Sequence, residues 1–134
     1  MADDLTLTQP DLVKRLLNNL PAGYTKSLVN TPNSKFTTPS DSKFLRVTVI
    51  PFNTESGAAS GGYKITSGLC VIDVFYPIGS NDTNQLSDTK LIKTLYENKT
   101  FGNTQCQEAS ILSIGESGSW YIMQVSISFY MEGF

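Results

Sequence analysis

No histidine occurs anywhere in this chain, which removes together the commonest general base at neutral pH and the commonest zinc ligand. Only two cysteines are present, Cys70 and Cys106, and their separation is not that of a metal-binding pair. Charge is scarce as well. Asp, Glu, Lys and Arg make up 16% of the residues, against roughly 25% in an average soluble domain. The net charge is −2, and no basic stretch is denser than Lys14-Arg15. That excludes the electrostatic footprint of a nucleic-acid binder, so no specific nucleic-acid recognition is expected. No apolar run approaches the ~18 residues of a membrane span. The opening residues Met1-Ala2-Asp3-Asp4 are acidic and lack the apolar segment of a signal peptide, so synthesis in a cytosol with reduced thiols is expected.

What is present fits one domain. A chain of 134 residues with 40% hydrophobic content can bury roughly two thirds of its unfolded surface without metal or disulfide staples. Ser, Thr, Asn and Gln supply most of the polar balance. A surface with so few charges repels itself weakly, which suits packing against partners.

The stretch Gly68–Gly79 organises the rest. Leu69 to Phe75 is apolar except for Asp73, and it stops at Pro77 and Gly79. Such a run reads as a central strand buried on both faces, with other elements above and below it. Ahead of it, Thr8 can cap a helix with Pro10 in its first turn, and Leu12, Val13, Leu16, Leu17 and Leu20 follow at helical spacing. This predicts a helix over about 9–20, stopped by Pro21 and Gly23. Residues 21–42 are an extended connection that either forms an edge strand around Tyr24–Val29, reaches to a partner, or is a disordered loop. Residues 43–52 alternate cleanly, with Leu45, Val47 and Val49 facing one way and Phe44, Arg46, Thr48 and Ile50 the other. Residues 53–62 are small, polar and glycine-rich, a mobile hairpin loop. They contain no phosphate-cradling pattern. The chain returns through 63–76 as a long strand or as two segments kinked near Gly68.

A second helix is expected over about 83–98, with Leu86, Leu91, Ile92, Leu95 and Tyr96 inward and Asp88, Lys90, Lys93 and Glu97 outward. Strands over 104–114 and 120–131 follow, joined by a turn at Gly115–Gly118. In the last strand Tyr121, Met123, Val125, Ile127, Phe129 and Met131 share one face. The order is helix, strand, strand, helix, strand, strand. Hairpin-length connections favour antiparallel pairing, giving an α+β fold in which a four- or five-stranded, mainly antiparallel sheet packs with two helices.

Candidate chemistry is thin. Cys70 lies in the apolar strand and reads as a core thiol. Glu97-Asn98-Lys99 has the Glu-x-Lys form of metal-dependent nucleases, but it falls at a helix end, where Lys99 complements the carbonyl dipole. No catalytic, cofactor or metal site is assigned. Asp73 needs a partner in an otherwise apolar strand. Arg46 on the preceding strand supplies one, as an internal ion pair or with Asp73 facing a neighbouring subunit.

The succession Phe44-x-Arg46-Val47-x-Val49 ending in Pro51, the glycine-rich hairpin, Gly68-x-x-x-Ile72-x-Val74-Phe75-x-Pro77-x-Gly79, a helix with Leu91, Leu95 and Tyr96, Phe101-Gly102 and an alternating final strand resembles the tail terminator proteins of long-tailed bacteriophages. The match covers about residues 8–131. The resemblance implies a structural virion protein, not an enzyme, assembled in the host cytoplasm and placed at the head-proximal end of the tail. It implies a hexameric ring that caps the tail tube, stops tube polymerisation and offers a surface to the head–tail connector or neck. Each subunit would pair a sheet edge or hairpin with its neighbour, the strands 63–76 and 120–131 being candidate edges. The residues taken for ring or tube contacts are Glu55, Ser56, Tyr63 and Lys64, with Arg46 and Asp73 behind them. A head–tail joining ring protein, a plain ligand-binding domain and a small nuclease built on Glu97 and Lys99 are the alternatives.

Overall fold

The computed structural model describes residues 4–32, 35–56, 64–79, 84–102 and 104–133. Two helices, α1 (Asp4–Leu17) and α2 (Asn84–Tyr96), accompany six strands: β1 (Val29–Asn30), β2 (Phe44–Ser56), β3 (Lys64–Pro77), β4 (Thr100–Phe101), β5 (Thr104–Ser117) and β6 (Trp120–Gly133). A single turn of 3-10 helix, Lys26–Leu28, precedes β1. The strands form one sheet in the order β1-β2-β3-β6-β5-β4. β1 lies parallel to β2, and every other pair is antiparallel.

This overturns the expected sheet of four or five mainly antiparallel strands in the order helix, strand, strand, helix, strand, strand. The molecule is mostly sheet. Two-residue strands are added at either side, one of them parallel, and both are too short to leave a periodic signal in sequence. The long strands also outrun their expected ends. Asn53–Ser56 continue β2 instead of opening a loop, and the β5–β6 turn falls at Gly118–Ser119.

Both helices lie on the same face. Leu12 and Leu16 of α1 and Ile92 and Tyr96 of α2 join one buried cluster with Leu45, Val47, Cys70, Ile72, Val74, Val125, Ile127 and Phe129. The helices are tied to each other where they meet. The Tyr96 hydroxyl donates to the Leu12 carbonyl at 2.6 Å, and Arg15 Nε donates to the Leu95 carbonyl at 2.9 Å. The second bond places a cation at the carbonyl end of α2, where the helix dipole favours it. α1 starts at Asp4, ahead of the expected Thr8 cap, so Pro10 lies within the helix. Its missing N–H leaves the Thr6 carbonyl without a helical donor.

β3 is an interior strand, paired along its length with β2 and β6. Among the described residues its second face carries no helix, contrary to the expectation of elements above and below. That face is closed at one end by an aromatic group. Phe44 stacks on Phe75 at 4.3 Å between ring centres, Trp120 meets Phe44 edge-on at 4.9 Å, and Phe36 reaches over from the connection at 5.5 Å. On the helix-covered face, towards the start of β3, Gly68 leaves no room for a side chain. A Cβ there would lie 2.5 Å from the Ile50 carbonyl oxygen and 2.8 Å from Phe129 Cζ. The irregularity in the β2–β3 ladder falls beside it, between Pro51 and Asn53, where proline has no N–H to give.

Candidate assembly surfaces

Arg46 and Asp73 are register partners on β2 and β3, and Gln124 of β6 stands next in the same row. Asp73 is 3% exposed, and its carboxylate is fully engaged. Arg46 donates to Oδ2 from Nε at 3.1 Å and from Nη2 at 2.9 Å, while Gln124 Nε2 donates to Oδ1 at 2.9 Å. The guanidinium also lies 5.0 Å from the centre of the Phe75 ring. The pair is thus made within one chain, on the helix-free face, with the Arg46 side chain still 48% exposed.

The other sequence-derived contact residues sit at the opposite end of the same strand pair. Glu55 and Ser56 end β2, Lys64 opens β3, and Ser56 and Lys64 are register partners. Tyr63 and residues 57–62 of the expected hairpin loop lie outside the described residues. The structure therefore brings Arg46 to Asp73 and Ser56 to Lys64, but separates the two groups along the strands.

A cluster that sequence reasoning missed ties the connection to α2. Lys43 Nζ donates to Asp88 Oδ2 at 3.1 Å, to the Tyr76 hydroxyl at 3.2 Å and to the Ala22 carbonyl at 3.2 Å. It also lies 4.4 Å from the centre of the Tyr24 ring. The Tyr76 hydroxyl donates to the same Asp88 oxygen. Gly23 turns the chain at φ 89°, and a Cβ there would meet the Lys43 side chain at 2.9 Å. Burial, followed by the neighbouring Asp88 and Tyr76, pushes ionisation of the Tyr24 hydroxyl far above its usual range. That hydroxyl makes no hydrogen bond with the described residues. The sequence pattern predicts Asp88 on the outer face of α2. Instead Gln85, Asp88, Thr89, Ile92 and Tyr96 are buried, while Leu86 and Leu91 are exposed. The inner face is partly polar because it meets strand ends. Gln85 Nε2, for instance, donates to the carbonyls of Val74 and Tyr121 at 3.0 and 2.9 Å.

The sheet's edges are the second missed feature. β3 and β6, the expected donors of an edge, are both interior. The outer edges belong to β2 and β5, each covered only at its first residues. β1 spans Leu45 and Arg46 on β2. β4 spans Thr104 and Gln105 on β5, and the Asn98 and Lys99 backbones extend that cover to Gln107. Beyond these points no further strand lies beside β2 or β5 among the described residues. Along the open part of β5, Leu112 is 56% and Ile114 47% exposed. Along β2, a groove of about 270 Å³ opens at the end of β1, lined by Asn30, Thr31, Pro32 and Arg46 to Val49. The Glu-x-Lys residue Glu97 has a structural role here, accepting the Ala109 N–H at 3.2 Å. No helix among the described residues is long and apolar enough to cross a membrane.

A family model described as phage tail terminator protein matches residues 11–129. One solved structure aligns over 100% of this chain and 97% of its own, at 22% identity and a TM-score of 0.74, a likeness of fold. No curated protein matches the chain.

Proposed function

This chain belongs to the phage tail terminator family, a structural component of the virion tail, and from that membership we propose that its copies close into a ring at the head-proximal end of the tail tube. The ring ends tube growth and presents its other side to the head–tail connector. The work is done by contact geometry, and no catalytic step is assigned to the chain. One ring face reproduces the contact that an incoming tube subunit would make. The opposite face does not, so addition stops there. A ring needs two different surfaces on each subunit related by a rotation that closes, and six copies is the number proposed.

The family match over 11–129 carries this reading. The architecture supports it, because a sheet with two different open edges offers distinct left and right contacts. Glu55, Ser56, Tyr63 and Lys64, at or beside the end of the β2–β3 pair, are proposed for the tube or ring contact, with Arg46 and Asp73 nearer the opposite end. Native mass spectrometry and electron microscopy of the protein, alone and with polymerised tail tube protein, test it. Six-fold rings, free or on tube ends, are expected. Rings that bind the head connector and ignore tubes would identify a neck protein instead, and a monomer indifferent to tubes would overturn the assignment.

A further inference from the structure

We infer that the open edge of β5 in one copy adds antiparallel to the open edge of β2 in the next, so that the sheets run on from subunit to subunit, with β1 and β4 as stops that limit how far the edges overlap. This rests on the ring reading and names the surfaces that close it.

The strand directions carry the first step. β2 and β6 run one way, β3 and β5 the other. A rotation about an axis lying along the strands leaves their direction unchanged. β5 of one copy therefore meets β2 of its neighbour antiparallel, the pairing with well-aligned hydrogen bonds. The two edges are different surfaces, so each copy uses one to its left and one to its right, as ring closure requires.

The short strands carry the second step. β1 covers the beginning of β2, and β4 covers the beginning of β5. Because β2 and β5 run oppositely, these covers lie at opposite ends of the sheet. In an antiparallel junction the last residues of an incoming β5 arrive at β1, and the last residues of β2 arrive at the neighbour's β4. Both stops oppose the same slide, the one that drives β5 towards β1 and β2 towards β4, and so limit how far the two edges can overlap. Pro32, just after β1, cannot extend that strand by donating to the ladder.

Chemistry supports the same pairing. The groove at the end of β1 would receive the end of β5, which carries exposed Glu116, beside the half-exposed Arg46 side chain. Leu112 and Ile114, exposed in the single subunit, would be covered. A long, weakly charged edge left open invites uncontrolled strand addition, and pairing with a second copy removes it.

One position allows a clean test. The Ala109 N–H bonds to Glu97, which lies outside the β5–β6 ladder. The register then runs without a break from Ala109 to Ser113, so by alternation the Ile111 and Ser113 N–H groups also point outward. Ser113→Pro removes an outward donor without taking a hydrogen bond from the β5–β6 ladder. It also removes the Ser113 hydroxyl contact with Tyr121 at 3.1 Å, which Ser113→Ala removes alone. Expected are rings from wild type and Ser113→Ala, and a folded monomer from Ser113→Pro. Rings from Ser113→Pro equal to wild type would overturn the inference and leave the ring reading standing. Wild type that forms no ring, even on tube ends, would overturn both. Hydrogen exchange on assembled wild type gives a readout that needs no variant. The Ile111 and Ser113 amides should exchange at least ~10-fold more slowly than those of an open edge, and open-edge rates would overturn the inference.

Discussion

Lys43 Nζ lies 3.1 Å from Asp88 Oδ2, and through that contact the residue just ahead of β2 holds the second turn of α2 against the end of β3. Both side chains are largely withdrawn from water, and Tyr76 shares the carboxylate. Lys43→Met should therefore cost about 2–4 kcal/mol, because it leaves a buried charge with a single neutral donor. Asp88→Asn should cost less. The double variant should be more stable than the sum of the two predicts, with a coupling of about 1–3 kcal/mol. Urea midpoints at constant slope measure this, and strict additivity would contradict it.

Gly68→Ala should destabilise the fold by about 3 kcal/mol. The new methyl group meets the Ile50 carbonyl, which is fixed in the sheet, and the ring of Phe129. Phe129→Leu in the Gly68→Ala background should recover only part of the loss, since the carbonyl clash remains. Thermal melts of the single and double variants separate the two contributions.

The Ala109 N–H, followed by Lys93, holds the Glu97 carboxyl below its ordinary value. A lowered folded value means that its contribution is present above the unfolded pKa of about 4.3 and is lost as pH falls through the folded one. Glu97→Gln should therefore flatten the acid limb of stability between about pH 5 and pH 3. A series of urea midpoints across that range is the check, and an unchanged acid limb would contradict it.

Burial pushes the Cys106 thiol up to about 12 and Cys70 higher still. Near pH 8 both should resist a soluble thiol reagent in the native state and react at once when unfolded. A raised folded value also means that stability is whole below the unfolded thiol pKa of about 8.5 and declines as pH rises beyond it. Absorbance-monitored labelling with and without urea decides, and rapid native labelling would show that the thiols are accessible.

Strong periodicity made much of this molecule legible in advance. Leu12 and Leu16 had to face a core, the Val125–Met131 alternation had to lie on one side of a sheet, and Arg46 was the evident partner for Asp73. Elements held only by their surroundings were not legible. β1 and β4 are each two residues long, and nothing in Val29-Asn30 or Thr100-Phe101 marks them as strands before β2 and β5 are in place. Asp88 gave no sign of burial, because its warrant is Lys43, distant in sequence and brought close only by the fold. The open edges are illegible in sequence for a similar reason. Which strand ends at the border of a sheet depends on the pairing order, and β3–β6 pairing across α2 leaves β2 and β5 outermost of the long strands.

That pairing order also sets how the chain must fold. β2 with β3 and β5 with β6 are hairpins, closed locally, whereas the ladder from Lys64–Gly133 to Pro77–Trp120 joins residues 69 to 43 positions apart. The native state is two local ribbons zipped along one distant seam. Loop closure across that seam is the costly search, so its completion should govern the folding rate. Until it closes, β3 and β6 are themselves bare, apolar strand borders, and the nascent protein is most exposed to aggregation in that interval.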